Sequence, residues 1–227
     1  MIKIATIFQD IKYEGLDINY FKKLDDIEDI SIYDYIIISG GDGTIRRAVN
    51  QLEKEDEIPN LILNPSGSFN LIAKKYKISK LNNILQKIKE KKSLKKINLD
   101  FYYLNNEIFL FSAGNMGDLQ HIFFAENIRI GILKHTSLKY IISFILLLPS
   151  HILLTPFFLI NKNRFFIFTP VSFIKKIGSF YGKINTTIEI DLNNNYNIVE
   201  LDGDITILTD RYIKITPANS NIFIVVS

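Results

Sequence analysis

The segment from Tyr35 to Leu52, YIIISGGDGTIRRAVNQL, constrains this chain more than any other. Ile36-Ile37-Ile38 is a β-branched run closed by turn residues, the pattern of a strand buried on both faces in a parallel sheet. Gly40-Gly41-Asp42-Gly43-Thr44 ends the run, and Ala48, Val49 and Leu52 then recur at helical spacing. Three glycines in four positions let the backbone approach a ligand and turn several N–H groups the same way. The start of the helix adds its positive end, so the expected occupant is an anion such as a polyphosphate. Asp42 is the odd residue in such a nest. A carboxylate beside phosphates repels them unless it holds a metal, orients a water or takes a proton.

A second turn of this kind follows the apolar run NLILN: Pro65-Ser66-Gly67-Ser68-Phe69-Asn70. Together, the two motifs at this spacing resemble the diacylglycerol kinase catalytic domain family, which includes bacterial lipid kinases and the sphingosine and ceramide kinases. The resemblance implies ATP as phosphoryl donor, with Mg²⁺. It also implies that Gly40, Gly41, Gly43, Thr44, Gly67, Ser68 and Asn70 bind nucleotide, and that Asp42 orients the phosphate through Mg²⁺ or water. Leu201-Asp202-Gly203-Asp204-Ile205 resembles the family's D-G-E motif, which would make Asp204 the base acting on the lipid hydroxyl. The same residues would equally well form a type I′ Asp-Gly hairpin turn.

The sequence departs from the family pattern at several points. Gln9-Asp10-Ile11-Lys12 stands where relatives carry an Asn-Pro and a Ser-Gly turn. Arg47 replaces a frequent Glu, Leu71 an Asp, and Asp204 a Glu. The longer middle segment of relatives, with its metal-binding loop, has no counterpart. Two alternatives to a lipid kinase therefore stay open: a non-catalytic nucleotide- or lipid-binding relative, and an NAD kinase-like enzyme. The second lacks its usual further motif here.

Composition narrows the classes. The absence of Cys excludes disulfides and thiolate metal sites. A net charge of +3 gives no argument for nucleic acid. His121, His135 and His151 show no metal-ligand spacing. Tyr140 to Ile160 carries no charge, but Pro149 and Pro156 interrupt it. That pattern predicts a helix over 133–148 followed by a strand rather than a transmembrane span.

In chain order, IKIATIF reads as the first strand of a parallel sheet, and MIKIATIFQD does not read as a leader. Helices are expected over 16–27 and 79–91. Ten lysines stand against Glu90 between Lys74 and Lys96, either as a solvated helix face or as a basic surface for an anionic leaflet. From Ile97 the pattern turns to short strands, with a hairpin at Asn105-Asn106. The expected architecture is an α/β nucleotide-binding domain with a mainly parallel sheet over 1–96. A mostly antiparallel β-sandwich that takes the lipid acceptor is expected over 97–227. Cytoplasmic placement, with peripheral contact to the inner face of the membrane, follows from the same reading.

Overall fold

The computed structural model describes residues 2–67, 69–115, 138–219 and 221–227. The chain divides into one compact unit of Met1–Asp100 with Asn219–Ser227, and a second of Phe101–Ala218.

The first unit opens with β1 (Lys3–Ile7) and β2 (Asp17–Phe21), followed by β3 (Tyr35–Gly40), α1 (Asp42–Leu52) and β4 (Asn60–Pro65). Two helices, α2 (Leu71–Tyr76) and α3 (Leu81–Lys89), lead to β5 (Lys96–Asn98). The helix expected over 16–27 is not formed. Asp17-Ile18-Asn19-Tyr20-Phe21 instead pairs in parallel with β1 from Lys3↔Asp17 to Ile7↔Phe21. An open strand edge offers a full ladder of backbone partners, and Ile, Tyr and Phe fit it better than a short exposed helix. Two 3₁₀ turns then carry the chain to β3. Asp26 accepts the Lys23 N–H, and Asp29 accepts the Ser31 N–H.

The second unit contains β6 (Tyr102–Leu104), β7 (Glu107–Phe109), β8 (Ser112–Gly114), α4 (Leu138–Ile160), β9 (Phe166–Phe168), β10 (Lys176–Ile177) and β11 (Phe180–Tyr181). It closes with β12 (Ile188–Asp191), β13 (Asn197–Leu201), β14 (Asp204–Leu208) and β15 (Tyr212–Pro217). A last strand, β16 (Phe223–Val225), returns to the first unit.

Among the described residues, the first sheet has the order β2-β1-β3-β4-β16-β5 and is parallel except for β5. On one face Ile4, Ile37, Ile62 and Val225 pack with Ile84, Leu85 and Ile88 of α3. Strand alternation turns Ile36 and Ile38 to the other face, and α1 packs on β3 through its buried side of Ile45, Ala48, Val49 and Leu52. The expected division at residue 96 moves to Asp100, and residues 219–227 leave the domain expected for them. The reason is the apolar Ile222–Val226 segment, which is largely buried as an inner strand between β4 and β5.

Among the described residues, the second unit holds two further sheets, β10-β11-β9-β8-β13-β14 and β12-β15-β6-β7, antiparallel except for the β9–β11 pair. Their inner faces share one core, in which Leu104, Phe109, Ile190 and Ile215 meet Ala113, Ile167, Val199 and Leu201. This is the expected sandwich. The Asn105-Asn106 hairpin is present, joining β6 to β7 with Leu104↔Glu107 as its closing pair.

One expectation over 138–160 fails. Instead of a helix ending near Leu148 and a strand, α4 runs through both prolines to Ile160. The two prolines lie seven residues apart and are both exposed, so the carbonyls they leave without helical partners fall on one outer side. A helix also satisfies the remaining backbone of this apolar run internally, without a partner strand. Residues 133–137, with His135, and His121 lie outside the described residues. Among the described residues, no group of three His, Cys, Asp or Glu could hold a metal. No described helix is long and apolar enough to cross a membrane.

Candidate functional site

The parallel register brings the ends of β1, β3 and β4 level, with Ile7↔Ile38 and Gly40↔Pro65 as terminal pairs. The strand order reverses between β1 and β3, since β2 lies outside β1 while β4 lies beyond β3. A crevice at the carboxyl ends of parallel strands, at such a reversal, is the usual ligand position in an open α/β sheet. The three segments arriving there are Phe8-Gln9, Gly41-Asp42 and Ser66-Gly67.

The two glycine turns form one unit. The Ser66 N–H donates to the Gly40 carbonyl at 3.0 Å. A Cβ on Gly67 would lie 2.5 Å from the Gly41 Cα, and one on Gly41 would lie 3.2 Å from the Gly67 Cα. Backbone therefore touches backbone where any side chain would intrude. Asn70 adopts the left-handed conformation, φ 50°. Its carboxamide closes the second turn by accepting the Gly67 N–H at 2.9 Å and donating to the Gly67 carbonyl at 2.8 Å. Ser68 lies outside the described residues. Gly41 is the N-cap of α1 and has no side chain to accept from the first N–H groups of that helix. Thr44 packs over Gly40, and its Oγ1 lies 3.5 Å from the Arg47 guanidinium.

Asp42 has a different position from the one its sequence context suggests. It is buried, and its two carboxylate oxygens accept the Leu71 and Ile72 N–H groups at 2.9 and 3.1 Å. It thus caps α2, where Asn70 makes no side-chain cap. Its charge is partly offset by those donors, so a phosphate nearby meets less repulsion than the bare sequence implies.

Sequence reasoning missed a third part of this crevice. Asn64, at the end of β4, donates to Gln9 Oε1 at 3.2 Å and to Ser39 Oγ at 3.0 Å. Gln9 thus takes its place at the turn after β1. The available signal was positional, because residues 9, 39 and 64 each sit at or just past the end of a parallel strand.

In the second unit, Asp202-Gly203 forms the two-residue hairpin turn between Leu201 and Asp204, with φ 51° and 91°. Asp202 is buried and accepts the Leu110, Phe111 and Ser112 N–H groups at 2.6, 2.8 and 2.9 Å. Burial pushes its carboxyl up to about 7, against the pull of those three donors and with a further push from Glu200. Glu200 is also buried and accepts from Ser112 Oγ at 2.8 Å and from the Gly203 N–H. Asp204 is partly exposed at the start of β14. Of the three acids at this turn, it is the one solvent reaches most.

The two glycine turns thus meet at the reversal point of the sheet. Residues 4–100 match the diacylglycerol kinase catalytic domain. Over its whole length the chain is also similar in fold to a diacylglycerol kinase from Bacillus anthracis, at 14% identity and TM-score 0.58, covering 97% of that chain. A second solved structure from that organism is 15% identical over all of this chain and 97% of its own, with TM-score 0.56. No curated protein matches the sequence.

The match to the diacylglycerol kinase catalytic domain ends at residue 100, where the first unit gives way to the second. It spans both glycine turns. Gly67→Ala forces the two turns apart, and overpacking of this kind costs about 1–3 kcal/mol. On the nucleotide-binding role proposed below, ATP affinity should fall about tenfold or more by calorimetry. Unchanged affinity would show that the contact does not shape the binding site.

Proposed function

We propose that this chain transfers the terminal phosphoryl group of ATP to a hydroxyl of diacylglycerol or a related lipid. The observation that carries this reading is the backbone contact of Gly41 with Gly67 beside the uncapped start of α1. A cradle that a Cβ would fill suits a phosphate chain, which brings its own oxygens to the N–H donors. In this reading Gly40, Gly41, Gly43 and Thr44 hold phosphates from the first turn, and Gly67, Ser68 and Asn70 hold them from the second. Gln9 and Asn64 border the nucleotide where relatives use an Asn-Pro turn.

Phosphoryl transfer asks mainly for alignment, charge neutralisation and a positioned base. The lipid hydroxyl oxygen forms a bond to the γ-phosphorus, the bond from that phosphorus to the bridging oxygen of ADP breaks, and Asp204 takes the hydroxyl proton. Asp202 and Glu200 are poor candidates for that role, because both are buried and already accept hydrogen bonds, Asp202 from the backbone of residues 110–112 and Glu200 from Ser112 and the Gly203 N–H. The residues fit Mg²⁺ only as a companion of the nucleotide. Both Asp42 oxygens accept backbone N–H groups, and no three-ligand cluster exists among the described residues. Mg²⁺ held largely by phosphates and water needs few protein ligands.

The test is incubation of the purified chain with γ-labelled ATP, Mg²⁺ and a panel of total lipids. Label in a lipid-extractable phosphate is the expected result. Nucleotide binding without transfer to any lipid would favour a non-catalytic relative, the reading that Gln9 and Arg47 support. Transfer to NAD instead would move the chain to the NAD kinases.

A further inference from the structure

The second unit carries a surface that nucleotide chemistry does not use. Along α4, Ile141, Ile145, Pro149, Leu153 and Phe157 follow one another four residues apart, with Ile160 three further on, and all are exposed. That spacing sets them along one side of the helix. Leu153, Phe157 and Ile160 are 69%, 66% and 79% exposed. Away from that side, Ser143 is fully buried and Leu147 partly buried. At the end of α4, the Leu159 carbonyl accepts from the Ser179 N–H at 2.9 Å, and the Asn161 carbonyl accepts from Ser179 Oγ at 2.6 Å. These bonds fasten the helix to the β10–β11 hairpin, whose approach displays Phe173 at 83% exposure and Ile177 at 55%.

The stretch of chain that carries this apolar side is basic. Residues 138–188 contain Lys139, Lys162, Arg164, Lys175, Lys176 and Lys183, six cations, and no Asp or Glu. Lys162, Arg164 and Lys176 line a cleft of about 750 Å³ beside Leu159 and Ile160. Lys176 lies 4.8 Å above the Tyr181 ring, which holds it at the rim. The acids of the cleft come from β12. Asp191 is paired through both oxygens with Arg211 at 2.8 Å, which leaves Glu189.

We propose that α4 and the 173–177 segment form a docking surface for an anionic phospholipid bilayer. The apolar side enters the headgroup boundary, and the lysine-rimmed cleft receives lipid phosphates. An apolar helix side bordered by cations is how interfacial helices hold to anionic leaflets. The carbonyls freed by Pro149 and Pro156 need water or headgroup donors, which the interface supplies and the hydrocarbon interior does not. A second copy of this chain would set Lys162, Arg164 and Lys176 against their own counterparts, which disfavours self-association on this face. The inference gives the proposed lipid kinase its route to substrate, and in that sense rests on that reading, but its measurement needs neither ATP nor turnover.

The test is flotation of the full chain with vesicles of phosphatidylcholine alone and of phosphatidylcholine mixed with phosphatidylglycerol. Wild type should bind the anionic vesicles at least tenfold more tightly. Lys175→Ala with Lys176→Ala should weaken that binding about 25-fold, at about fivefold per lysine. Phe157→Glu should weaken it further. Lys74→Ala with Lys80→Ala, on the lysine-rich surface of the first unit, should leave it unchanged. Thermal unfolding checks each variant, and Leu153→Gln replaces Phe157→Glu if that one fails to fold. Four results would each overturn the proposal: equal binding to both vesicle types, wild-type binding by the α4 variants, loss confined to Lys74 and Lys80, or a wild-type dimer that Phe157→Glu splits. ATP binding measured on the same samples separates this outcome from failure of the kinase reading, because the two surfaces share no residue.

Discussion

With Asp204 as the proposed base, Asp204→Asn should lower lipid phosphorylation by about 10²–10⁴-fold, the usual loss when a general base is removed. ATP affinity should hold, because the residues proposed to hold nucleotide belong to the two glycine turns. Folding should hold as well: Asp204 is partly exposed, and the turn before it is fixed by Asp202. Asn keeps the shape and removes the proton acceptor, so turnover and ATP binding measured on one purified sample decide the matter. Equal turnover in variant and wild type would reduce Asp204 to the first residue of β14. A loss shared equally by turnover and ATP binding would point to a structural defect instead.

Asp202→Ala should cost about 3–9 kcal/mol of stability, because it leaves three buried N–H groups without their acceptor at about 1–3 kcal/mol each. The left-handed backbone at this position adds a smaller cost for Ala. Denaturant unfolding followed in the second unit measures it. Asp202→Asn should cost less, since one oxygen still serves Phe111 and Ser112 while the new NH₂ meets the Leu110 N–H. The wild type should also show a pH dependence of definite sign. The Asp202 carboxyl is raised to about 7 in the fold, well above its ordinary value, so the folded state keeps a proton that the unfolded chain releases. That stabilisation is fully present below about pH 4 and is lost as pH rises through about 7. Asp202→Asn, which cannot ionise, should be flatter over this window. A wild-type profile that rises with pH there would show the carboxylate, not the acid, to be the form the fold prefers.

Asp42 and Asp202 show where sequence reading reaches its limit. Each stands beside a glycine in a motif suggestive of chemistry, and each proves to hold backbone N–H groups from another segment. Asp42 lies 29 and 30 residues from its donors, and Asp202 between 90 and 92 from its own. No local pattern encodes such a pairing. Asn64 and Gln9 are a similar case, 55 residues apart and brought together only by the level ends of β1 and β4.

What the sequence determined by itself was local and periodic: the buried strand and glycine turn of residues 35–52, the second turn, the Asn105-Asn106 hairpin and the alternation of the sandwich strands. These follow from backbone sterics and from the spacing of apolar residues, both of which act within a few positions. Only the tertiary structure decided the rest. Residues 17–21 became a strand because β1 offered an open edge, and residues 149–160 stayed helical because both prolines fell on one exposed side. The Ile222–Val226 segment crossed back to the first unit because a buried place lay open between β4 and β5. In each case the deciding partner is distant along the chain or lies on the far side of the same element, so propensity and spacing could not weigh it.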